Sequence, residues 1–208
     1  MRVVVAGFGP FPGAPFNPSA LVAKALARRR RPALADLTVT PHVFATAYSA
    51  VDRDLAKLFA TKPDILLMFG LAAKRRHLCV ETRAKNAVSL LFPDAAGYRP
   101  RAGVIAARQP AWRRGDAPAA RLVHAARSRG VPSRASRDAG RYLCNYAYWQ
   151  ALARAAPIPA LVAFVHIPDT RPKNKKRVAS LPALERAAEE ILIALKSARR
   201  AFKARPSS

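Results

Sequence analysis

Residues 64–70, Asp64-Ile65-Leu66-Leu67-Met68-Phe69-Gly70, decide the fold class, because five consecutive apolar side chains end at a glycine. A run this short and this apolar is typical of a strand that is buried on both faces of a sheet. Similar runs lie at residues 2–6 and 161–167. Helical patterns at 48–60 and 144–155 separate the three runs, and a further helical pattern at 181–202 follows the last one. Strands that alternate with helices predict a three-layer α/β/α sandwich around a mostly parallel, mixed sheet.

Further elements fit the same architecture. Asn17 can cap a helix whose first residue is Pro18, a position that suits proline. We also expect strands at 37–44 and 77–82, helices at 117–130 and 144–155, and long loops over 86–118. We predict a single domain over residues 1–202, followed by a basic tail at 203–208.

The composition favours an enzyme-sized soluble domain. The chain has 208 residues, half of them hydrophobic, and no apolar run of about 18 residues, so we expect no membrane span. The apolar start is too short for a signal peptide. Cys79 and Cys144 are the only cysteines, which excludes a disulfide framework and fits a reducing compartment. We therefore predict a cytoplasmic location.

The charge raises an alternative function. The formal net charge is +25, from 37 Lys and Arg against 12 Asp and Glu, which makes a nucleic-acid-binding protein the alternative to an enzyme. However, the basic residues occur in short runs along the whole chain, and no nucleic-acid-reading motif accompanies them. We expect any binding of nucleic acid to be non-specific.

Two residues indicate chemistry. Cys144 follows a glycine-containing loop at the start of a helical pattern, and His166 lies at the end of the apolar run 161–167. A helix N-terminus and a neighbouring imidazolium both lower the pKa of a thiol, which produces the reactive thiolate. The pair is therefore a candidate cysteine nucleophile with its base. The structural alternative is an inert core cysteine and a strand-end histidine without a chemical role.

Three ordered segments extend this hypothesis to a family, pyroglutamyl peptidase I (pyrrolidone-carboxylate peptidase), which the chain resembles from about residue 2 to 195. The segments are Gly7-Phe8-Gly9-Pro10-Phe11-Pro12-Gly13 with Asn17-Pro18-Ser19, then Gly70-Leu71-Ala72 with Glu81 and Asn86, and finally Cys144-Asn145 with Phe164-Val165-His166-Ile167-Pro168. No single segment is specific, but their order and spacing together are.

The resemblance implies a Cys-His-Glu triad. Cys144 would be the nucleophile, His166 the general acid and base, and Glu81 the group that orients the imidazole. The implied reaction removes N-terminal pyroglutamyl residues through an acyl-enzyme, with backbone N–H groups at the helix start as oxyanion donors.

The resemblance also implies how the substrate is bound. Phe8 and Phe11 would enclose the flat lactam ring, with Phe16, Leu71 and Leu143 beside them. No metal and no cofactor are implied. The expected partners are small peptides with a blocked N-terminus, and the chain is expected to form a homodimer or a homotetramer.

The chain departs from the family pattern at several positions near these motifs. Ala73 and Lys74 replace paired glycines, Arg83 is displaced by one residue, and Leu91 replaces an arginine implied to help the oxyanion site. Arg141-Tyr142-Leu143 replaces small or apolar residues before the nucleophile. Loss of one oxyanion donor typically costs on the order of 10²–10³ in rate. A cysteine hydrolase with another N-terminal amide or lactam substrate is therefore the second enzyme hypothesis.

Overall fold

The computed structural model describes residues 1–11, 14–158, 160–171 and 179–203. Its strands are β1 (Arg2–Phe8), β2 (Thr38–Phe44), β3 (Ile65–Leu71), β4 (Leu78–Glu81), β5 (Arg83–Lys85), β6 (Trp112–Arg114), β7 (Ser133–Ser136) and β8 (Leu161–Ile167). Its α-helices are α1 (Pro18–Arg28), α2 (Tyr48–Ala60), α3 (Ala119–Arg127), α4 (Leu143–Ala155) and α5 (Leu181–Lys203).

Six of the described strands form one mixed sheet in the order β2-β1-β3-β8-β4-β7. The first four in this order run parallel, β4 pairs antiparallel with β8, and β7 pairs parallel with β4. All seven residues of β3 and of β8 are buried, as their apolar runs predict. The carboxyl ends of β3 and β8 therefore lie side by side in the middle of the sheet, where α/β proteins place their sites.

Helices cover both faces of this sheet. One hydrophobic cluster packs α1, α3 and α5 against Ile65, Leu67 and Phe69 of β3. The other packs α2 and α4 against the alternate residues Leu66 and Met68. Because successive strand residues point to opposite faces, β3 contributes to both clusters. The predicted α/β/α sandwich is confirmed.

The start of α1 follows the prediction closely. The side chain of Asn17 accepts a hydrogen bond from the N–H of Ser19 at 3.2 Å, and Pro18 is the first helical residue. Gly7 allows the helix to lie directly against β1, since a Cβ there would come within 2.4 Å of the Ser19 carbonyl oxygen. This contact holds the loop after β1 beside the carboxyl end of the sheet.

Several local predictions differ from the structure. The segment expected to be loop contains β6, which pairs with β5 in a separate hairpin-like ladder. Strand β7 was not predicted, and α3 is shorter than the helix expected at 117–130. Residues 204–208 of the predicted tail lie outside the described residues, as do Pro12 and Gly13 of the first motif. Among the described helices, none combines the length and apolar character that crossing a membrane requires.

Candidate active site

The antiparallel pairing of β4 with β8 brings Glu81 to His166. Glu81 lies opposite Phe164 and Cys79 lies opposite His166, so Glu81 and His166 are diagonal neighbours on one face of the sheet. The Nδ1 atom of His166 is 2.8 Å from Oε1 of Glu81. Both side chains are buried, with exposed fractions of 2% for Glu81 and 4% for His166.

Arg75 completes the environment of this carboxylate. Its Nη1 donates to the same Oε1 of Glu81 at 2.6 Å, and its Nη2 donates to the carbonyl oxygen of Asp138. Burial acts to raise the pKa of Glu81, but the hydrogen bond and charge of His166, together with the Arg75 charge, hold that pKa below its ordinary value. Glu81 is therefore ionised at neutral pH.

An ionised Glu81 determines the state of the imidazole. A carboxylate can only accept hydrogen bonds, so the Nδ1 of His166 must donate its proton to Glu81. In the neutral ring this leaves Nε2 as a proton acceptor. The pair is thereby prepared to take a proton from a nucleophile.

The thiol of Cys144 lies over Gly70 of β3. Cys144 is the second residue of α4, and a Cβ added to Gly70 would come within 2.8 Å of its Sγ. Gly70 is in turn the register partner of His166 on β8. The sheet therefore places the thiol and the imidazole over adjacent strands. Among the described residues, no hydrogen bond yet joins Sγ to the ring, a link that enzymes often form only with substrate bound.

The protonation state of the thiol differs from the expectation. Burial first, and then the negative charge of Glu81, raise the pKa of Cys144 to about 12, and only Arg75 acts in the other direction. The helix start and the imidazole were expected to lower this pKa. A raised pKa favours the neutral thiol, from which His166 would take the proton during the attack.

The start of α4 supplies hydrogen-bond donors beside the thiol. The first N–H groups of a helix have no partner within it, and no side chain caps this helix at Tyr142. The N–H groups of Leu143 and Cys144 therefore lie in the uncapped first turn of the helix that carries the thiol.

Asn145 fixes this helix start in place. Its Oδ1 accepts from the N–H of Lys85 at 2.8 Å, and its Nδ2 donates to the carbonyl oxygens of Lys85 at 2.8 Å and Ala87 at 2.9 Å. The side chain is fully buried. These hydrogen bonds join the first turn of α4, which contains Cys144, to the segment that follows Glu81. The place of Asn145 in the sequence motif did not reveal this role.

A cavity of about 230 Å³ opens beside the thiol and the imidazole. The described residues that line it are Phe8, Phe11, Asn17, Thr46, Leu71, Ala72, Arg75, Ala139, Gly140, Arg141, Tyr142, Leu143, Cys144 and His166. Of the substrate-binding residues expected from the sequence, only Phe16 is missing from this set. Its ring lies instead beneath the guanidinium of Arg171, at 5.6 Å.

Aromatic side chains shape this cavity. Phe8 is 2% exposed and packs against Phe44 and Phe164, with ring centroids 5.3 and 6.3 Å away. Phe11 lies 6.3 Å from the ring of Tyr142, which the sequence comparison had marked only as a departure. Phe8 at the end of β1 and Phe11 in the loop after it thus contribute flat apolar faces to the cavity. Tyr142, just before α4, contributes a third aromatic ring.

The departures at Ala73, Lys74, Arg83 and Leu91 lie outside the cavity, whereas Arg141-Tyr142-Leu143 lines it. Leu91 is 75% exposed and does not line it. Arg83 donates to the carbonyl oxygen of Arg137 at 3.0 Å, and Lys85 pairs with Asp138 at 3.0 Å. Of the described lysines and arginines, Arg75 and Arg141 line the cavity, and the sequence had assigned a role to neither. Within the described ranges, no group of three or more His, Cys, Asp or Glu side chains could hold a metal ion.

Comparison with known proteins gives a consistent result. A family model for pyroglutamyl peptidase matches residues 1–202. The pyrrolidone-carboxylate peptidase of Pyrococcus furiosus is 32% identical over 171 residues, which cover 81% of each chain. The corresponding protein of Cupriavidus pinatubonensis is 35% identical over 170 residues, covering 80% of this chain and 77% of the other.

Solved structures agree with the sequence relatives. The pyrrolidone carboxyl peptidase from Thermococcus litoralis superposes with a TM-score of 0.86 and 26% identity, covering 98% of this chain and 96% of that one. A mutant of the Pyrococcus furiosus enzyme superposes with a TM-score of 0.85 and 26% identity, covering 96% and 100%. The resemblance seen in the sequence motifs is confirmed.

Proposed function

The chain belongs to the pyroglutamyl peptidase family, and we propose that it is a cysteine-type omega-peptidase that removes N-terminal pyroglutamyl (5-oxoproline) residues from peptides. The observation that carries this proposal is the buried Glu81–His166 pair, joined at 2.8 Å, whose imidazole lines the same cavity as the Cys144 thiol. The matching relatives bear the name of this activity.

In the first half of the reaction, Sγ of Cys144 attacks the carbonyl carbon between the pyroglutamyl group and the next residue. The S–C bond forms as the thiol proton passes to Nε2 of His166. Glu81 stabilises the resulting imidazolium, and the N–H groups of Leu143 and Cys144 stabilise the oxyanion. Because burial and the Glu81 charge raise the pKa of the thiol, a proton transfer coupled to the attack suits this site.

In the second half, the C–N bond breaks and the imidazolium returns its proton to the departing amine. A pyroglutamyl thioester on Cys144 remains. Water then attacks this thioester while His166 takes one of its protons, and the thiol and 5-oxoproline are released. Glu81 keeps the same imidazole tautomer through both halves.

The cavity fits a small uncharged ring. Its volume of about 230 Å³ is below the range of about 300–1,000 Å³ that is usual for drug-sized ligands. Phe8, Phe11 and Leu71 offer apolar faces, and the charge of Arg75 is compensated by Glu81. A lactam, which is flat and polar only at its edge, suits this environment.

The experiment is release of the fluorophore from a pyroglutamyl-aminomethylcoumarin substrate. We expect turnover by the wild-type protein, none above background by Cys144→Ala, and most of the turnover in Cys79→Ala. Cys79 is the matched control because it is a buried thiol in β4 that does not line the cavity. Turnover that survives Cys144→Ala would refute the assignment of the nucleophile.

A second candidate is a cysteine hydrolase for another N-terminal amide or lactam. It is favoured by Arg141 and Tyr142, which line the cavity where the family pattern has small or apolar residues. Labelling of Cys144 by a thiol-directed probe, without turnover of any pyroglutamyl substrate, would support this second candidate. The expected small-peptide substrates are common to both.

Other sequence predictions remain open to test. Nucleic-acid binding would appear as an affinity that falls steeply with salt, and we expect only such non-specific binding from the charge of +25. The predicted homodimer or homotetramer can be tested by sedimentation. The proposed site residues all belong to one chain, so either state is compatible with the reaction.

A further inference from the structure

Arg141 is a cavity residue to which the proposed reaction assigns no role. It is exposed, it lines the cavity, and it lies three residues before Cys144. Within the described part of the chain, its side chain makes no hydrogen bond and no ion pair. The other arginine among the described lining residues is Arg75, and its guanidinium forms an ion pair with Glu81.

The backbone that carries Arg141 is held firmly. Its carbonyl oxygen accepts a hydrogen bond from the N–H of Ser89 at 2.6 Å. Before it, Gly140 adopts a positive φ of 84°, and its N–H donates to Oδ1 of Asp138 at 3.0 Å. After it, the hydroxyl of Tyr142 donates to the carbonyl oxygen of Pro93 at 2.8 Å. The backbone from which the Arg141 side chain extends is therefore fixed.

Among the residues that the structure describes, no carboxylate pairs with this guanidinium. None of the described residues that line the cavity is acidic. Nearby, Asp138 is paired with Lys85, and buried Asp94 accepts from the N–H groups of Tyr48, Ala96 and Tyr98. Exposed Lys74, on the turn beside Arg75, adds further positive charge. The opening of the cavity therefore attracts anions.

We propose that Arg141 binds a carboxylate on the residue that follows the pyroglutamyl group, so that the enzyme prefers pyroglutamyl peptides with an acidic second residue. This inference rests on the proposed function. The apolar part of the cavity takes the lactam, and the leaving residue must therefore extend towards the exposed side, where Arg141 lies. A guanidinium pairs with a carboxylate in a two-pronged geometry that favours it over a neutral amide.

The experiment compares kcat/KM for pyroglutamyl-Glu-Ala-amide and pyroglutamyl-Gln-Ala-amide at low ionic strength, by chromatography of the released 5-oxoproline. These peptides have nearly the same shape and differ in charge. We expect the wild type to prefer the glutamyl peptide by about 3- to 10-fold, the range of a partly exposed charge-assisted contact. The ratio should fall to about 1 in Arg141→Gln and below 1 in Arg141→Glu.

Arg134→Gln is the matched control. Arg134 is an exposed residue of β7 that does not line the cavity, and its replacement changes the net charge by the same amount. The selectivity ratio should survive in this variant. An equal loss of the ratio in both variants would assign the preference to the overall charge of +25 and overturn the role of Arg141.

The carboxylate has two sources, which a second pair of substrates separates. Pyroglutamyl-Gln with a free C-terminus is compared with pyroglutamyl-Gln-amide. An Arg141-dependent preference in either pair supports the inference and identifies the source, whereas a ratio of about 1 in both pairs overturns it. Absence of turnover with every pyroglutamyl peptide would instead refute the proposed function, so the two failures are distinguishable.

Discussion

The cavity has two walls that differ in burial and in how closely they follow the family pattern. The sheet wall comprises Cys144 and His166, which line the cavity, together with Gly70 and Glu81, which contact them from outside it. It is largely buried and matches the pattern at each position. The loop wall, residues 72–76 and 139–142, is mostly exposed and contains several departures from it. We infer that the sheet wall carries the chemistry and the loop wall determines which peptides are accepted.

The two walls differ because a substitution in the buried sheet wall lowers the stability of the fold more than a substitution in the exposed loop wall. Removing either partner of the Glu81–His166 contact leaves a buried polar group without its hydrogen bond, which costs about 1–3 kcal/mol or more where the group is charged. An exposed side chain such as Arg141 can be replaced with little effect on folding, since surface substitutions usually change stability by about 0.5 kcal/mol or less.

The largest expected effect is on the sheet wall. Replacement of His166 by Ala removes the proton acceptor and should lower kcat by about 10⁶-fold, as for the histidine of a serine protease triad. His42→Ala is the control, because His42 is a partly buried histidine of β2 paired with Asp54 at 3.2 Å. Comparable losses in both variants, with unchanged thermal unfolding, would argue against a special role for His166.

Gly70→Ala should have the next largest effect. The new methyl group would lie 2.8 Å from Sγ of Cys144 and 2.9 Å from the ring of Phe164, so the thiol must move. A displacement of about 1 Å from the reacting position can cost about 10²-fold in rate. The control is Gly103→Ala, where a Cβ meets nothing within 4 Å. If Gly70→Ala retains wild-type kcat, the thiol does not react from the position described.

The parts of the sheet wall that lie within one strand or one sequence motif could be predicted from the sequence. The apolar runs 64–70 and 161–167 identify β3 and β8, and the motif residues at their ends locate Gly70 and His166. Strand β7 was missed because its sequence, Ser-Arg-Ala-Ser, has no apolar pattern, as expected for an edge strand. The β5–β6 pair escaped for a similar reason, since each strand has only three residues.

The parts of the site that escaped prediction depend on contacts between distant segments. Arg75 contacts Glu81 only because the turn after β3 lies beside β4. No local sequence pattern predicts this position of the turn. Phe16 was grouped with Phe8 and Phe11 by its position in the chain, yet its ring lies under Arg171. The raised pKa of Cys144 likewise follows from burial and from Glu81, neither of which is visible in the helix pattern.

Glu81→Gln tests the electrostatics of the sheet wall. Because the pKa of Glu81 is lowered by folding, its ionised form stabilises the native state above its unfolded pKa of about 4.3, and this stabilisation disappears as the pH falls through the folded pKa. The variant should be less stable than the wild type by about 1–3 kcal/mol at neutral pH.

Acidification should therefore reduce the difference between the two proteins. Urea unfolding of both proteins, followed from neutral pH down to below the ordinary glutamate pKa, measures it. A stability difference that stays constant over this range would mean that the Glu81 carboxylate is not held ionised by His166 and Arg75.

The smallest expected effect lies in segment 89–93, beside the loop wall. Leu91→Arg restores the residue of the family pattern, but Leu91 is 75% exposed and does not line the cavity. We expect kcat/KM for a pyroglutamyl substrate to change by less than about threefold, well short of the roughly 10²–10³ of an oxyanion donor. A gain of that size would show that this segment reaches the thiol and would blur the distinction between the two walls.

The most direct test of the central claim is identification of the acylated residue. The wild-type protein is mixed with an activated pyroglutamyl ester, quenched in acid during turnover, digested, and analysed by mass spectrometry. We expect the pyroglutamyl group on the peptide that contains Cys144, none on the peptide that contains Cys79, and no adduct in Cys144→Ala. Turnover of the ester with the acyl group on any other residue would contradict the assignment of Cys144 as the nucleophile on the sheet wall.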